Sequence, residues 1–122
     1  MKPTILVIDD DEPILALMSN VLRGFGFNPI IASRGRDAIE LATSSPPDVI
    51  LVDLRMPGMS GEDVIRAMRA DVRLGKTPIL VLSGAPVSRD ELAMLGADGA
   101  IQKPFDLEEL IRLVTEFTTR TA

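Results

Sequence analysis

Five short apolar runs, each followed by a stretch with helical spacing, leave this chain very few folds to choose from. The runs cover residues 5–8, 29–32, 49–52, 79–82 and 100–101. Between and after them, apolar residues recur three or four positions apart, as in Ile14, Leu15, Met18, Val21 and Leu22, or Leu107, Leu110, Ile111, Val114 and Phe117. Continuous apolar runs of that length suit strands covered on both faces, and the 3.6-residue spacing paints one helical face. Strand and helix alternating five times predict an α/β domain with a parallel sheet and helices on both faces. Right-handed crossovers favour a doubly wound, flavodoxin-like (βα)5 arrangement with strand order 2-1-3-4-5.

The punctuation agrees with this pattern. Ser88 with Glu91 and Asp106 with Glu109 have capping-box spacing at helix starts. Gly24, Gly26 and Gly96 fall where helices should stop, and Pro78 bars a helix from running into the fourth strand. The 122 residues suffice for one domain, expected to span 1–122, with no linker or internal repeat.

Composition removes whole classes of chemistry. There is no cysteine and no histidine, so thiol catalysis, disulfides and thiolate or imidazole metal sites are excluded. A metal would need oxygen ligands, which favours Mg²⁺, Mn²⁺ or Ca²⁺. The net charge of −5 and the lack of a basic run argue against direct nucleic-acid binding. No apolar stretch has the length of a membrane span and the start lacks a signal-peptide pattern, so a cytoplasmic location without membrane contact is expected.

In the 2-1-3-4-5 order, the residues at the C-terminal ends of the strands meet in one crevice. Asp53 ends the third apolar run, and the acidic group Asp9, Asp10, Asp11, Glu12 follows the first. Asp11 and Glu12 read as first-turn residues favoured by the helix dipole. Asp53 is expected to face Asp9 and Asp10 on one side and Ser83 on the other, with Lys103 reaching in from the fifth strand. Carboxylates this close repel one another, and a hard divalent cation resolves the conflict. An ion-bound Asp53 could attack phosphorus, with Lys103 neutralising the transferring oxygens and the Ser83 hydroxyl donating to the phosphoryl group.

These residues resemble a response-regulator receiver domain, the phospho-accepting half of a two-component pair. The likeness runs from Ile5 to about Phe117 and rests on four marks in order: Asp9-Asp10, Asp53-Leu54-Arg55-Met56-Pro57-Gly58, Ser83-Gly84 and Lys103-Pro104. It implies Mg²⁺ held by Asp10, Asp53 and the Arg55 backbone carbonyl, with Asp9 acting partly through water. It further implies phosphorylation of Asp53 by a sensor histidine kinase or phosphotransfer protein, a cis Lys103–Pro104 bond, and regulation of a downstream protein or output domain through strands 4 and 5 and helix 4. Such a module is not an enzyme beyond catalysing its own phosphorylation and dephosphorylation.

One position departs from the family pattern: Ala100 stands where receivers usually carry an aromatic residue three places before the lysine. Output is then expected to depend on backbone shifts around residues 83–88. Two alternative functions compete with this reading. A Mg²⁺-dependent phosphohydrolase with an aspartyl nucleophile would want an acid two places after Asp53, where Arg55 stands. A pseudo-receiver scaffold would not need Asp9, Asp10, Asp53, Ser83 and Lys103 together.

Overall fold

A computed structural model describes residues 2–120; residues 1, 121 and 122 of the expected domain lie outside the described residues. The strands are β1 (Thr4–Ile8), β2 (Asn28–Ala32), β3 (Val49–Asp53), β4 (Ile79–Ser83) and β5 (Gly99–Gln102). The helices are α1 (Glu12–Gly24), α2 (Gly35–Ser44), α3 (Gly61–Ala70), α4 (Arg89–Leu95) and α5 (Leu107–Arg120). All strand pairs are parallel, in the order β2-β1-β3-β4-β5 that the sequence predicts. Four strands extend one residue beyond an apolar run at one end and β5 extends at both, because ladder bonding continues where hydrophobicity stops.

Strand parity divides the core. Ile5 and Val7 of β1, Val49 and Leu51 of β3, and Leu80 and Leu82 of β4 face α1 and α5, packing on Leu15, Met18, Leu22, Leu110 and Val114. Leu6 and Ile8, Ile50 and Val52, and Ile79 and Val81 face the other way, onto Ala38, Ala42, Val64, Ile65 and Met68. Alternate residues of a strand point to opposite faces, so each central strand feeds both layers and is apolar throughout. Every residue of β3, Asp53 included, is buried.

Local chemistry fixes the helix ends. Asp11 caps α1, its side chain accepting the Ile14 N–H at 3.2 Å. Ser88 and Glu91 form the expected capping box on α4, and Ser60 and Asp63 form a second one on α3. The Asp106 side chain accepts the Glu108 N–H at 3.0 Å, one residue short of the box spacing read from the sequence. Gly96 closes α4 with φ +80°, a left-handed conformation that costs glycine nothing. α4 differs from its neighbours in having no buried residue: Leu92 and Leu95 are only half-buried and Met94 is exposed.

Candidate functional site

The same parity that sorts the core assembles a charged cluster where the strands end. Asp9 continues the series Ile5, Val7; Asp53 continues Val49, Leu51; and Lys103 continues from Ile101. All three side chains therefore emerge on the α1/α5 side of the sheet's C-terminal edge. The Lys103 ammonium lies 2.8 Å from Asp9 Oδ2 and 3.3 Å from Asp53 Oδ2. Asp9 is fully buried, Asp53 nearly so, and Lys103 is one-quarter exposed. Asp10, next along the chain, is exposed at the mouth, yet ligand oxygens of Asp9, Asp10 and Asp53 lie within 4.8 Å of one another.

Backbone groups hold the carboxylates in place. The Asp11 N–H donates to Asp9 Oδ1 at 3.0 Å, and the Arg55 N–H donates to Asp53 Oδ1 at 3.3 Å. Lys103 is anchored by its own N–H, which donates to the Ser83 carbonyl at 2.7 Å, and it precedes a cis bond to Pro104, as the resemblance implies. After Asp53 the chain leaves the sheet and returns at Gly61, whose N–H donates to the Leu54 carbonyl at 3.1 Å. A Cβ on Gly61 would collide with the Asp53 carbonyl oxygen and come within 2.7 Å of Leu54 Cα. Only glycine lets α3 start this close to the backbone that carries Asp53, a role the sequence reading missed.

Burial pushes the Asp53 carboxyl above the usual carboxylate range, and the Asp9 charge pushes further, outweighing Lys103 and the Arg55 amide. Burial would lower the Lys103 ammonium, but the Asp9 hydrogen bond and the Asp9 and Asp53 charges raise it overall. One ammonium among three carboxylates leaves negative charge in a partly desolvated pocket. With only oxygen donors, one of them facing water, the donor set fits a hard divalent cation such as Mg²⁺.

The side chains of two expected members make no hydrogen bond to this cluster among the described residues. Ser83 ends β4 with the opposite parity to Leu80 and Leu82, so its hydroxyl accepts the Ala85 N–H at 3.2 Å. Among the described residues no hydrogen bond joins it to Asp53. Arg55 lies exposed in the turn after β3, its amide rather than its guanidinium engaging the site. Ala100 is half-buried and lines a hollow of about 300 Å³ with Ser83, Ala85, Pro86, Val87 and Glu109.

Fold and site together define a doubly wound α/β domain with an acidic crevice and one lysine at the C-terminal edge of its sheet. The chain matches the response regulator receiver domain family model over residues 5–115 and belongs to that family. It is 39% identical over 116 residues to the DNA-binding response regulator MtrA of Mycobacterium tuberculosis, covering 93% of this chain and 50% of that protein. It is 38% identical over 121 residues to the transcriptional regulatory protein PrrA of the same species, covering 98% of this chain and 51% of that protein. The chain thus spans about half the length of the relatives it matches.

Among solved structures it resembles chemotaxis protein CheY4 of Vibrio cholerae, with TM-score 0.91, 30% identity and coverage of 96% of this chain and 99% of that one. It also resembles the receiver domain of sensor histidine kinase PA1611 from Pseudomonas aeruginosa, described with magnesium in its active-site cleft (TM-score 0.88, 25% identity, coverage 98% and 99%). The chain is a receiver domain, a signalling module of two-component response regulators, and the relatives it matches are response regulators. No helix among the described residues is long and apolar enough to cross a membrane.

Proposed function

We propose that residues 1–122 form one receiver domain in which Asp53 accepts a phosphoryl group from a kinase phosphohistidine or a small acyl phosphate. The observation that carries this reading is the burial of Asp53 at a strand end, 3.3 Å from the Lys103 ammonium and beside two further carboxylates. An Asp53 carboxylate oxygen attacks phosphorus in line, forming an acyl phosphate. The bond from phosphorus to the donor's nitrogen or oxygen breaks, and its electron pair leaves with the donor. Lys103 neutralises the transferring oxygens. Asp9, Asp10 and Asp53, with the Arg55 carbonyl, would hold Mg²⁺, which when bound supplies charge neutralisation for the phosphoryl oxygens.

Loss of the phosphoryl group follows when water attacks phosphorus and the Asp53 carboxylate is released. In the phosphorylated state the Ser83 hydroxyl turns to donate to a phosphoryl oxygen, and the surface around β4, β5 and α4 changes for a partner or output domain. Without a ring at position 100, that change passes through the 83–88 backbone.

Incubation with Mg²⁺ and acetyl phosphate, followed by intact-mass measurement, tests the reading. One added phosphoryl group, absent in Asp53→Asn, supports it. A full-occupancy adduct that persists in Asp53→Asn would overturn it, and multiple turnover of a phosphate monoester would favour a phosphohydrolase instead.

A further inference from the structure

β2 is an edge strand with no strand beyond it among the described residues, and its backbone is oriented to accept one. The Asn28 N–H donates to the Pro3 carbonyl and the Ala32 carbonyl accepts the Asp9 N–H, so Asn28, Ile30 and Ala32 turn their polar groups toward β1. In a parallel ladder the intervening residues face the other way. Pro29 is one of these, and its missing N–H blunts the first half of the open edge. Ile31 and Ser33 carry the bare backbone of the second half.

The setting of that half is specific in chemistry. Ile31 is 45% exposed, a large apolar side chain on the rim of the sheet. Two hollows meet on it. One, of about 280 Å³, lies against α1 and is lined by Glu12, Leu15 and Ala16. The other, of about 510 Å³, lies against α2 and is lined by Asp37, Glu40, Leu41 and Ser44. Each side offers an apolar floor and at least one carboxylate, and no lysine or arginine lines either hollow among the described residues. Arg34 and Arg36 line a third hollow with Asp10 and Gly58, which Glu12, Ser33 and Asp37 also border.

From this we propose that the β2 edge docks an extended, cationic segment of a partner protein, which adds to the sheet as a sixth strand. Main-chain bonds form to Ile31 and Ser33. Alternate side chains of the incoming strand reach toward α1 and α2, where lysine or arginine meets Glu12 on one side and Asp37 and Glu40 on the other. A second copy of this chain is disfavoured as occupant, because self-pairing would face these carboxylates with themselves. The surface adjoins the mouth of the phosphoryl-accepting crevice through Glu12, Ser33 and Asp37 but includes none of Asp9, Asp10, Asp53 and Lys103.

The test is a titration of the isotope-labelled full chain with a capped peptide of alternating lysine and valine, read by amide shifts. Saturable shifts at Ile31 and Ser33, weakened tenfold or more by combined Asp37→Lys and Glu40→Lys and by Ile31→Pro, support the proposal. Ile31→Pro removes an outward N–H, as Pro29 already does, and unchanged resonances elsewhere show that each variant is folded. Several outcomes would overturn it: no saturable shift, shifts centred on Asp9, Asp10 and Asp53, or equal binding by a glutamate–valine peptide or by one interrupted with proline. Sedimentation showing a dimer that Ile31→Pro dissolves would assign the edge to a second copy and equally overturn it.

Discussion

Replacing Lys103 with methionine isolates what its charge does for the folded domain. Methionine preserves most of the apolar stem and fills similar space, so packing loss should be small. What disappears is the ammonium 2.8 Å from Asp9 and 3.3 Å from Asp53. Breaking a fully buried ion pair costs about 3–5 kcal/mol, whereas an exposed pair is worth about 0–1 kcal/mol. Asp9 is fully buried while the Lys103 side chain keeps 23% of its exposure, which places the loss between those limits, at about 2–3 kcal/mol. Urea unfolding at pH 7 without Mg²⁺ reads this directly.

The sign with pH follows from the shifts. The folded-state ammonium is raised, so its contribution is complete below the ordinary lysine range and fades only as strongly alkaline pH passes through the raised value. Asp53 is raised as well, so acidification through its folded-state value removes part of the charge that the variant leaves uncompensated. The deficit should therefore be largest near neutrality. Mg²⁺ should stabilise Lys103→Met more than the parent, since it supplies the missing positive charge and binds without competition from the ammonium. A variant as stable as the parent in metal-free buffer, or equal Mg²⁺ stabilisation of both, would refute the electrostatic account of the site.

Four further outcomes can be checked. Gly61→Ala should lose about 2–4 kcal/mol in urea unfolding, because its Cβ meets Asp53 backbone that cannot retreat; phosphoryl uptake should slow with it. Asp53→Asn should be more stable than the parent at pH 7: a raised carboxyl costs stability once ionised, and the gap should close as pH falls through the folded-state value toward the ordinary carboxylate range, as measured by melting across pH. Arg69→Met should cost about 2–3 kcal/mol and speed amide exchange at Ile79, because four carbonyls and the Asp98 carboxylate lose a shared donor. Ala100→Tyr should occupy the hollow beside Ser83 with a stability change under about 1 kcal/mol, phosphoryl uptake intact and partner affinity altered.

The layers, strand order and charged cluster were legible because they depend on patterns that survive in one dimension. Apolar runs mark strands, their number and spacing imply a doubly wound sheet, and residues just after each run must meet at one edge. Parity was equally available for Ser83. Counting in twos from Leu80 and Leu82 puts its side chain off the face that Asp53 and Lys103 share. The box from Ser60 to Asp63 was also readable, having the spacing recognised at Ser88. Gly61 and Arg69 were not. A glycine's need to be small appears only when another segment passes close by. Likewise, Arg69 gains its meaning from carbonyls of Leu74, Gly75, Thr77 and Gly96 that two separate connections bring to it.

The contrast between the two halves of the site bears on how a signal leaves it. Asp9, Asp53 and Lys103 stand on strand ends packed into the core, where displacement would disturb close-packed side chains and cost several kcal/mol. Ser83 instead begins a run in which Gly84, Ala85, Pro86 and Ser88 are exposed, leading to a helix with no buried residue. Few contacts oppose motion there, so a hydroxyl drawn toward a phosphoryl group would move its own loop rather than deform the sheet. At the far end of α4 the Arg69 guanidinium donates to the Gly96 carbonyl at 2.8 Å and pairs with Asp98 at 3.0 Å. Asp98 in turn accepts the Ile79 N–H at 2.8 Å, tying that end to the base of β4. A helix fixed at its C-terminus and loose at its N-terminus pivots. If Arg69 is the pivot, Arg69→Met should leave phosphoryl uptake at Asp53 intact while spreading phosphorylation-dependent amide shifts from the N-terminal turn of α4 to residues 96–98. Shifts that stay confined to the 83–91 region in that variant would place the restraint elsewhere.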